Sequence, residues 1–513
     1  MNKTNVKPSC EIAVVALDAI YPGSADGEGF WTDILAANDL LEDIPNSHWL
    51  ADDYFSTEPG KKLKTWAKKG GFLSDINFDP IEFGIPPKLL SATDSVQLLS
   101  LIVAKSILSK IPSIQAEKVA RSNTSIILGM AAATELVGQM SSKLQRPVWV
   151  KALREAGLKE DQVQAIAENI ESHYPEWTES TFPGLLGNVV AGRIANRLDL
   201  GGSNCVVDAA CASSLAAMTM AVQELQLGNS DLVITGGADA LNDILMYMCF
   251  TKTPALSKSG DCRPFSDQAD GTMLGEGVGM VALRRLEDAE RDGDEIYAVL
   301  KGYGTSSDGK SKSVYAPVSK GQSSAIKRAY DMAQYSPQEV GLIEAHGTAT
   351  TAGDLAEFGG LRLAFEDEES KNTQWCALGS VKSQIGHTKA AAGAASMFKA
   401  IHALHHKVIP PTIKVDKPGE KLDIESSPFY LNTQKRPWIT SSSKRRRAGV
   451  SSFGFGGSNF HMTLEEYKGN LSPKRFDSSE QKLFLFSGDS HSQILSAMDA
   501  YDIDSQYLSY YAR

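Results

Sequence analysis

The chain is short of several things, and each shortage narrows what it can be. No apolar run approaches the roughly 20 residues that span a bilayer, so no membrane partner is expected. Six cysteines in 513 residues, without regular spacing, make no disulfide scaffold and suit a reducing cytoplasm. Cys205 and Cys211 are too far apart for a C-x-x-C metal or redox motif. Basic residues are outnumbered, with a net charge of -11 and no basic face along the chain, which argues against nucleic acid as the main partner. The N-terminal text "MNKTNVKPSCEIAVVAL" lacks the layout of a signal peptide. The glycine-containing stretch at 302–312 lacks the Walker pattern, so no phosphate loop is expected there.

What is present is an alternation of short apolar strands and helical patterns. "EIAVVAL" (11–17), "TSIILGM" (124–130), "DLVITGG" (231–237) and "VGMVALRRL" (278–286) read as buried strands. "SVQLLSLIVAKSIL" (95–108) and the segment after Cys211 read as helices. The second half repeats the style with "IYAVLKGYG", "VGLIEAHGT", "CALGSVKS" and "GSNFHMTLEE", so a duplicated α/β unit is expected, although no repeat is visible in the letters. Residues 131–182 are helical and amphipathic and read as an insertion, placed over the site or serving as a dimer element. From about 465 the text turns polar, then resumes as "LFLFSGDSHSQILSAMDAYDIDSQYLSYYAR". That is the pattern of a linker and the start of a further unit, as expected of a piece of something longer.

One segment, "CVVDAACASSLAAMTMAVQELQLG" (205–228), changes from a β-branched run into a helix at Cys211. A thiol in the first turn of a helix meets free N–H groups and the positive end of the dipole, which would lower its pKa. Ala209, Ala210, Ala212 and Ser213 leave room for a substrate beside the sulfur. A buried cysteine is more often inert packing, and the glycines of a G-x-S-x-G elbow are missing. Two later segments change the balance. "LIEAHGTATTAGDLAE" places His346 in a Gly/Thr turn after a strand, and "LGSVKSQIGHTKAAAGAA" places Lys382 and His387 likewise before an Ala-rich helix. Two such histidines point to one pocket at the carboxyl edge of a sheet.

The signatures "DAACASSL", "EAHGTAT", "KSQIGH" and "GFGGSNFH" resemble, in order, those of β-ketoacyl synthases of the thiolase superfamily, over about residues 11–464. "KKGGFLSDINFDPIEFGIPP", "PGLLGNVVAGR" and "NCVVDAACASSLAAM" resemble more narrowly the synthase domain that opens iterative polyunsaturated fatty acid synthases. The resemblance implies a thiolase-like fold with a duplicated five-layered α-β-α-β-α architecture. Its halves would be residues 11–290 and 291–464, between an N-terminal tail (1–10) and a post-synthase linker (465–513).

The resemblance also implies decarboxylative Claisen condensation of a cysteine-bound acyl chain with malonyl on an acyl carrier protein, giving a 3-oxoacyl product. Cys211 would be the nucleophile, His346 and His387 would donate to the thioester oxygen, and Lys382 would hold their hydrogen-bond network and the local field. Phe455 would supply an oxyanion-hole N–H together with that of Cys211 and gate the pocket with its ring, with Gly456 beside it. Thr348 and Thr350 match positions that contact the pantetheine arm. Ala349 stands where the family usually has glycine; a methyl there could crowd the pantetheine tunnel, but the change is small and tolerance rather than inactivity is expected.

No metal and no permanently bound cofactor is implied, because substrates arrive on the phosphopantetheine of a carrier. The implied partners are carrier domains, a second copy of the chain, and neighbouring synthase domains, with an acyltransferase on the C-terminal side. "SSSKRRRAG" (441–449) reads as a solvated loop. Its position just before "GFGGSN" also fits a carrier-docking patch of Lys444, Arg445, Arg446 and Arg447. His402, His405 and His406 sit at i, i+3 and i+4, a conceivable metal face, but a helix C-terminus suits histidines and no acids stand nearby in sequence to support a metal, so the non-metal reading is preferred. Rival readings are a non-decarboxylating thiolase-type enzyme, a silent chain-length partner and a pure carrier-docking module. The full Cys/His/His/Lys set weighs against the last two.

Overall fold

A computed structural model describes residues 10–58, 61–131, 134–310, 313–366, 372–441, 443–469 and 486–500. Residues 1–9 of the N-terminal tail and much of the expected linker (470–485 and 501–513) lie outside the described residues.

Eleven strands form the main sheet: β1 (Ile12–Ile20), β2 (Thr124–Gly129), β3 (Asn204–Val207), β4 (Leu232–Asp239), β5 (Gly277–Arg285), β6 (Ala298–Ser307), β7 (Leu342–Glu344), β8 (Cys376–Gly379), β9 (Phe429–Leu431), β10 (Arg447–Gly454) and β11 (Ser458–Glu465). Their order is β9-β8-β7-β10-β11-β6-β1-β5-β4-β2-β3. Only Ile12, Ala13 and Val14 of β1 pair with β6, so a narrow seam joins the two halves.

The halves have one topology. In the first, β2 runs parallel to β3 and β4, β4 is antiparallel to β5, and β5 is antiparallel to β1. In the second, β7 runs parallel to β8 and β10, β10 is antiparallel to β11, and β11 is antiparallel to β6. The duplication that the letters hide is therefore plain in the strand order.

The helices repeat as well. α1 (Ser95–Ser109), α2 (Val189–Leu198) and α3 (Ser213–Leu227) serve the first half, and α4 (Ser319–Ala333), α5 (Thr351–Phe365) and α6 (Ala392–His406) serve the second. Leu215 and Met218 of α3 and Phe398 and Ile401 of α6 share one core with Val14 and Val233 of the first half and Val450 and Met462 of the second. Leu101 and Ile107 of α1 and Ile194 of α2 pack with Ala13, Val15 and Ile234. Ile326 of α4 and Leu361 of α5 pack with Ile343 and Leu378. The layers thus run helices, one half of the sheet, central helix pair, the other half of the sheet, helices. Both faces of each half are buried, which is why these strands read as continuous apolar runs.

The described residues within 131–182 carry helices at Thr134–Lys143, Arg146–Glu155, Glu160–Ser172 and Thr181–Leu185. No helix among the described residues is long and apolar enough to cross a membrane.

Candidate active site

Each half sends a strand into a central helix through a sharp turn, and the two turns meet. In the first, the 3-10 turn Ala210–Ala212 precedes α3; in the second, Lys389–Ala391 precedes α6. Ala210 and Lys389 both have φ of +50°, a left-handed conformation that costs an L-residue about 1–2 kcal/mol. Cys211 follows the strained Ala210 in an elbow that carries none of the in-sequence glycines of a hydrolase. The glycines come from neighbouring strands instead. A Cβ on Gly129 would stand 2.3 Å from the Ser213 carbonyl carbon, and one on Gly454 would stand 2.2 Å from the Ala209 oxygen. Ser452 Oγ donates to the Cys211 carbonyl at 2.7 Å.

Cys211, His346 and His387 line one cavity of about 390 Å³, with Thr348, Thr350, Phe453, Phe455, Glu357 and Gln322 also in its wall. The two imidazoles stand edge to face, their ring centroids 5.4 Å apart, and His346 lies 5.8 Å from the Phe453 ring. The Lys389 N–H donates to His387 Nδ1 at 3.0 Å. A neutral His387 ring therefore carries its proton on Nε2, a donor. Burial holds both histidines well below the usual imidazole range, reinforced by the Lys382 charge. Both are neutral at physiological pH.

Lys382 is 1% exposed. It donates from Nζ to the His346 carbonyl, so it holds that turn through the backbone; burial lowers its own pKa.

Two carboxylates that belong to none of the sequence signatures' predicted roles complete the scaffold. Glu357 accepts the His346 and Gly347 N–H groups at 2.7 Å each. Asp354 accepts the Ala349 N–H at 3.0 Å and the Phe265 N–H at 2.6 Å. Burial pushes Glu357 up to about 7 and Asp354 up to about 8. Acids three apart on one helix face directly after the histidine turn were the available signal.

The structure corrects several expectations. The Cys211 thiol is not acidified: burial pushes it up to about 11, outweighing the nearby Lys382 charge and the Phe455 N–H. Desolvation disfavours the thiolate more than the helix end stabilises it. The Phe455 ring, 45% exposed, sits at the cavity wall 6.1 Å from Phe250. Gly456 is not in that wall, and its N–H is committed to the Val314 carbonyl at 3.1 Å. Ala349 is fully buried and outside the cavity lining, so its methyl does not narrow a tunnel; the departure falls on the backbone, where φ is +60°. None of the described residues within 131–182 lines the cavity.

The basic run is corrected too. Residues 447–449 belong to β10 rather than to a loop, and Arg447 stands at the opposite end of that strand from Gly454. Seven steps at about 3.3 Å separate them by roughly 23 Å. Arg446 is paired with Glu466 at 2.7 Å, Arg447 with Glu465 at 2.7 Å and with Glu339, and Arg445 with Glu465 at 3.4 Å. With Lys444 they line a separate cavity of about 210 Å³. The three arginines are neutralised there, and the run does not stand at the mouth of the Cys211 cavity.

Among the described residues no three His, Cys, Asp or Glu side chains are placed to hold a metal. His402 and His406 stack on Trp31 at 5.2 and 5.6 Å, and His405 stacks on Tyr297 at 4.7 Å.

Comparison with known proteins agrees with this geometry. Residues 9–289 match the β-ketoacyl synthase N-terminal domain, 297–416 its C-terminal domain, and 418–512 the ketoacyl-synthetase C-terminal extension. The chain is 41% identical over 468 residues to a polyunsaturated fatty acid synthase polypeptide of a Thraustochytrium species, covering 90% of this chain and 17% of that one. It is 32% identical over 514 residues to the polyketide synthase PksL of Bacillus subtilis, covering 98% and 10%. The chain thus spans about a sixth or less of the length of these relatives. A ketosynthase from module 6 of the bacillaene synthase of Bacillus subtilis superposes with a TM-score of 0.76 at 30% identity, covering 98% of this chain and 80% of that one. By its thiolase-like duplication and by these matches, the chain belongs to the β-ketoacyl synthase family.

Proposed function

We propose that the chain is a 3-oxoacyl synthase, an acyltransferase that condenses a Cys211-bound acyl chain with malonyl carried on phosphopantetheine. The observation that carries this is the single cavity in which a buried thiol faces two neutral imidazoles. In the first step, the Cys211 sulfur attacks the acyl thioester. The C–S bond to pantetheine breaks, and the thiol proton leaves with the pantetheine sulfur. In the second, malonyl thioester loses carbon dioxide, and the electron pair passes into an enolate. Neutral N–H donors stabilise such an oxyanion without giving up the proton, which is the role proposed for His387 Nε2 and for His346. The enolate carbon then attacks the acyl carbon, and the Cys211 sulfur departs and is reprotonated.

Phe455, through its N–H and with that of Cys211, is the proposed oxyanion donor during acyl transfer, and its ring the gate. Thr348 and Thr350, whose hydroxyls lie 2.9 Å apart in the cavity wall, are proposed to receive the pantetheine arm. The synthase unit is taken as residues 11–464, followed by a linker. The likeness to a polyunsaturated fatty acid synthase supports elongation of such chains as the setting, with carrier domains, an adjoining acyltransferase and a second copy of the chain as partners. The single-histidine logic of a cysteine protease does not suit two neutral imidazoles.

Incubation with an acyl thioester and intact-protein mass spectrometry tests the proposal. A one-acyl adduct is expected on the wild type and none on Cys211→Ala; an adduct on Cys211→Ala would show that the nucleophile lies elsewhere. His346→Ala or His387→Ala should still accept acyl groups but lose about 10²–10³ in condensation rate.

A further inference from the structure

Lys389 has no place among the predicted site residues and is not in the cavity wall, yet every donor of its side chain is held. Its Nζ donates to the Gly275 carbonyl at 2.9 Å and to Asn242 Oδ1, and lies 3.0 Å from Asp239 Oδ1. An ammonium has three protons to give, and all three are spent. The anchor is itself fixed. Glu276, 1% exposed, accepts the Asn242 N–H at 2.7 Å and the Leu73 N–H at 3.0 Å, and lies 2.8 Å from His48 Nε2. Asp239 ends β4, and Asn242 and Gly275 lie between β4 and β5, so a residue of the second half is pinned to the first.

The duplication shows what the lysine adds. In the first half the left-handed residue is Ala210, whose N–H donates to Asp208 Oδ1, two residues earlier, at 2.9 Å. In the second half it is Lys389, whose N–H donates to His387 Nδ1, again two residues earlier. Both open a 3-10 turn with the same φ, so an alanine meets the backbone demand. The acceptors differ. A carboxylate makes a charge-assisted bond about twice as strong as a neutral one, whereas a neutral imidazole nitrogen holds the strained N–H more weakly. The turn with the weaker acceptor is the one given a side-chain anchor.

Resting on the synthase reading above, we propose that Lys389 is a positioning residue for decarboxylation. Its ammonium, fixed to Asp239, Asn242 and Gly275, keeps its own N–H on His387 Nδ1 and so keeps the ring's proton on Nε2, where the enolate oxygen forms. Which imidazole nitrogen carries the proton is set by the bond the other one makes. Without the anchor the strained turn relaxes, Nδ1 is released, and the proton divides between the two nitrogens. Acyl transfer to Cys211 draws on the thiol and on the N–H groups of Cys211 and Phe455, not on this proton. Loss of the anchor therefore separates the two half-reactions.

The test uses the full chain, acylated on Cys211, with malonyl-pantetheine as second substrate, and reads the release of carbon dioxide. Lys389→Met keeps the length and removes the donors. It also leaves Asp239 buried and unpaired, so a double variant, Asp239→Asn with Lys389→Met, removes both charges together. The double variant should lower kcat for decarboxylation about tenfold with KM unchanged, while acylation of Cys211 falls far less. Nitrogen-15 spectra of histidine-labelled wild type should show a bare Nδ1 and a protonated Nε2 in the signals that His387→Ala removes. In the double variant those two signals should move toward each other. Equal losses in acylation and decarboxylation, no loss in the double variant, or unaltered His387 signals would each overturn the assignment, whether or not the single variant folds. Absence of a Cys211 adduct or of carbon dioxide release in the wild type would instead overturn the synthase reading on which it rests.

Discussion

At the scale of single residues, burial sets the chemistry more than sequence neighbours do. Cys211 lies at a helix entrance, yet its thiol stays protonated near neutral pH because desolvation raises it to about 11. Its alkylation by iodoacetamide should climb about tenfold per pH unit from pH 7 to 10, since only the thiolate reacts and its fraction grows tenfold per unit below the pKa. A plateau below pH 9 would contradict the buried-thiol account. For Glu357, raised by burial in the same direction, the consequence falls on stability. Its folded-state value of about 7 lies above the roughly 4.3 of an unfolded glutamate, so the native protein binds that proton more tightly. The contribution is present in full below about pH 4.3 and is lost as pH rises through 7. Denaturant unfolding at pH 5 and pH 8 should show a smaller drop for Glu357→Gln than for wild type. Ala349 sits at φ +60° outside the cavity lining, so Ala349→Gly should raise stability by roughly 1 kcal/mol and leave substrate affinity unchanged.

At the scale of elements, the site depends on how closely β2 and β10 approach the Cys211 elbow. Gly129 and Gly454 allow contacts that a single methyl would forbid. Gly129→Ala must push the Ser213 backbone away, at a cost of about 1–3 kcal/mol, and the displaced elbow carries the nucleophile. Thermal unfolding should show the loss, and acylation should slow more than binding of the arm weakens. The same reasoning explains why β10 does not read as a strand in the sequence. "RAGVSSFG" is poor in bulky β-branched residues because it threads between the elbow, α6 and His346, where small side chains are required.

At the scale of the whole molecule, β3 is one of the two edges of the eleven-stranded sheet, the other being β9. The Ser203 carbonyl accepts from Ile126 of β2 and the Val207 carbonyl from Met130 just past its end, so by the alternation of strand bonding Asn204 and Val206 turn their backbone groups to the open side. An exposed edge of this kind is satisfied by pairing with another chain. The 131–182 insertion adds exposed Val137, Leu144, Val148, Trp177 and Phe182. A homodimer through this edge is the expected assembly. Light scattering at micromolar concentration should give twice the monomer mass, and Val206→Pro should give a folded monomer, because proline there removes only an outward N–H. Monomer alone in the wild type would refute the dimer.

The chemistry of the site was legible in the letters wherever it is local. A cysteine among small residues at a strand-to-helix change, and histidines in Gly/Thr turns after apolar strands, are consequences of backbone geometry within a dozen residues. What the tertiary structure alone decided is everything that depends on distant partners. It set the protonation of Cys211 through the layers that bury it, and the tautomer of His387 through the Lys389 turn. It also placed Glu357 under the His346 turn and tied Lys389 to Asp239 across the two halves. The basic run shows the division most clearly. Its charge was plain in the sequence, but Glu465 and Glu466, at and just past the end of the neighbouring strand β11, and Glu339 by β7 neutralise it at the far end of β10. Composition fixes how much charge a chain carries; desolvation and pairing across a sheet, both set by contacts far apart in sequence, decide where that charge can act.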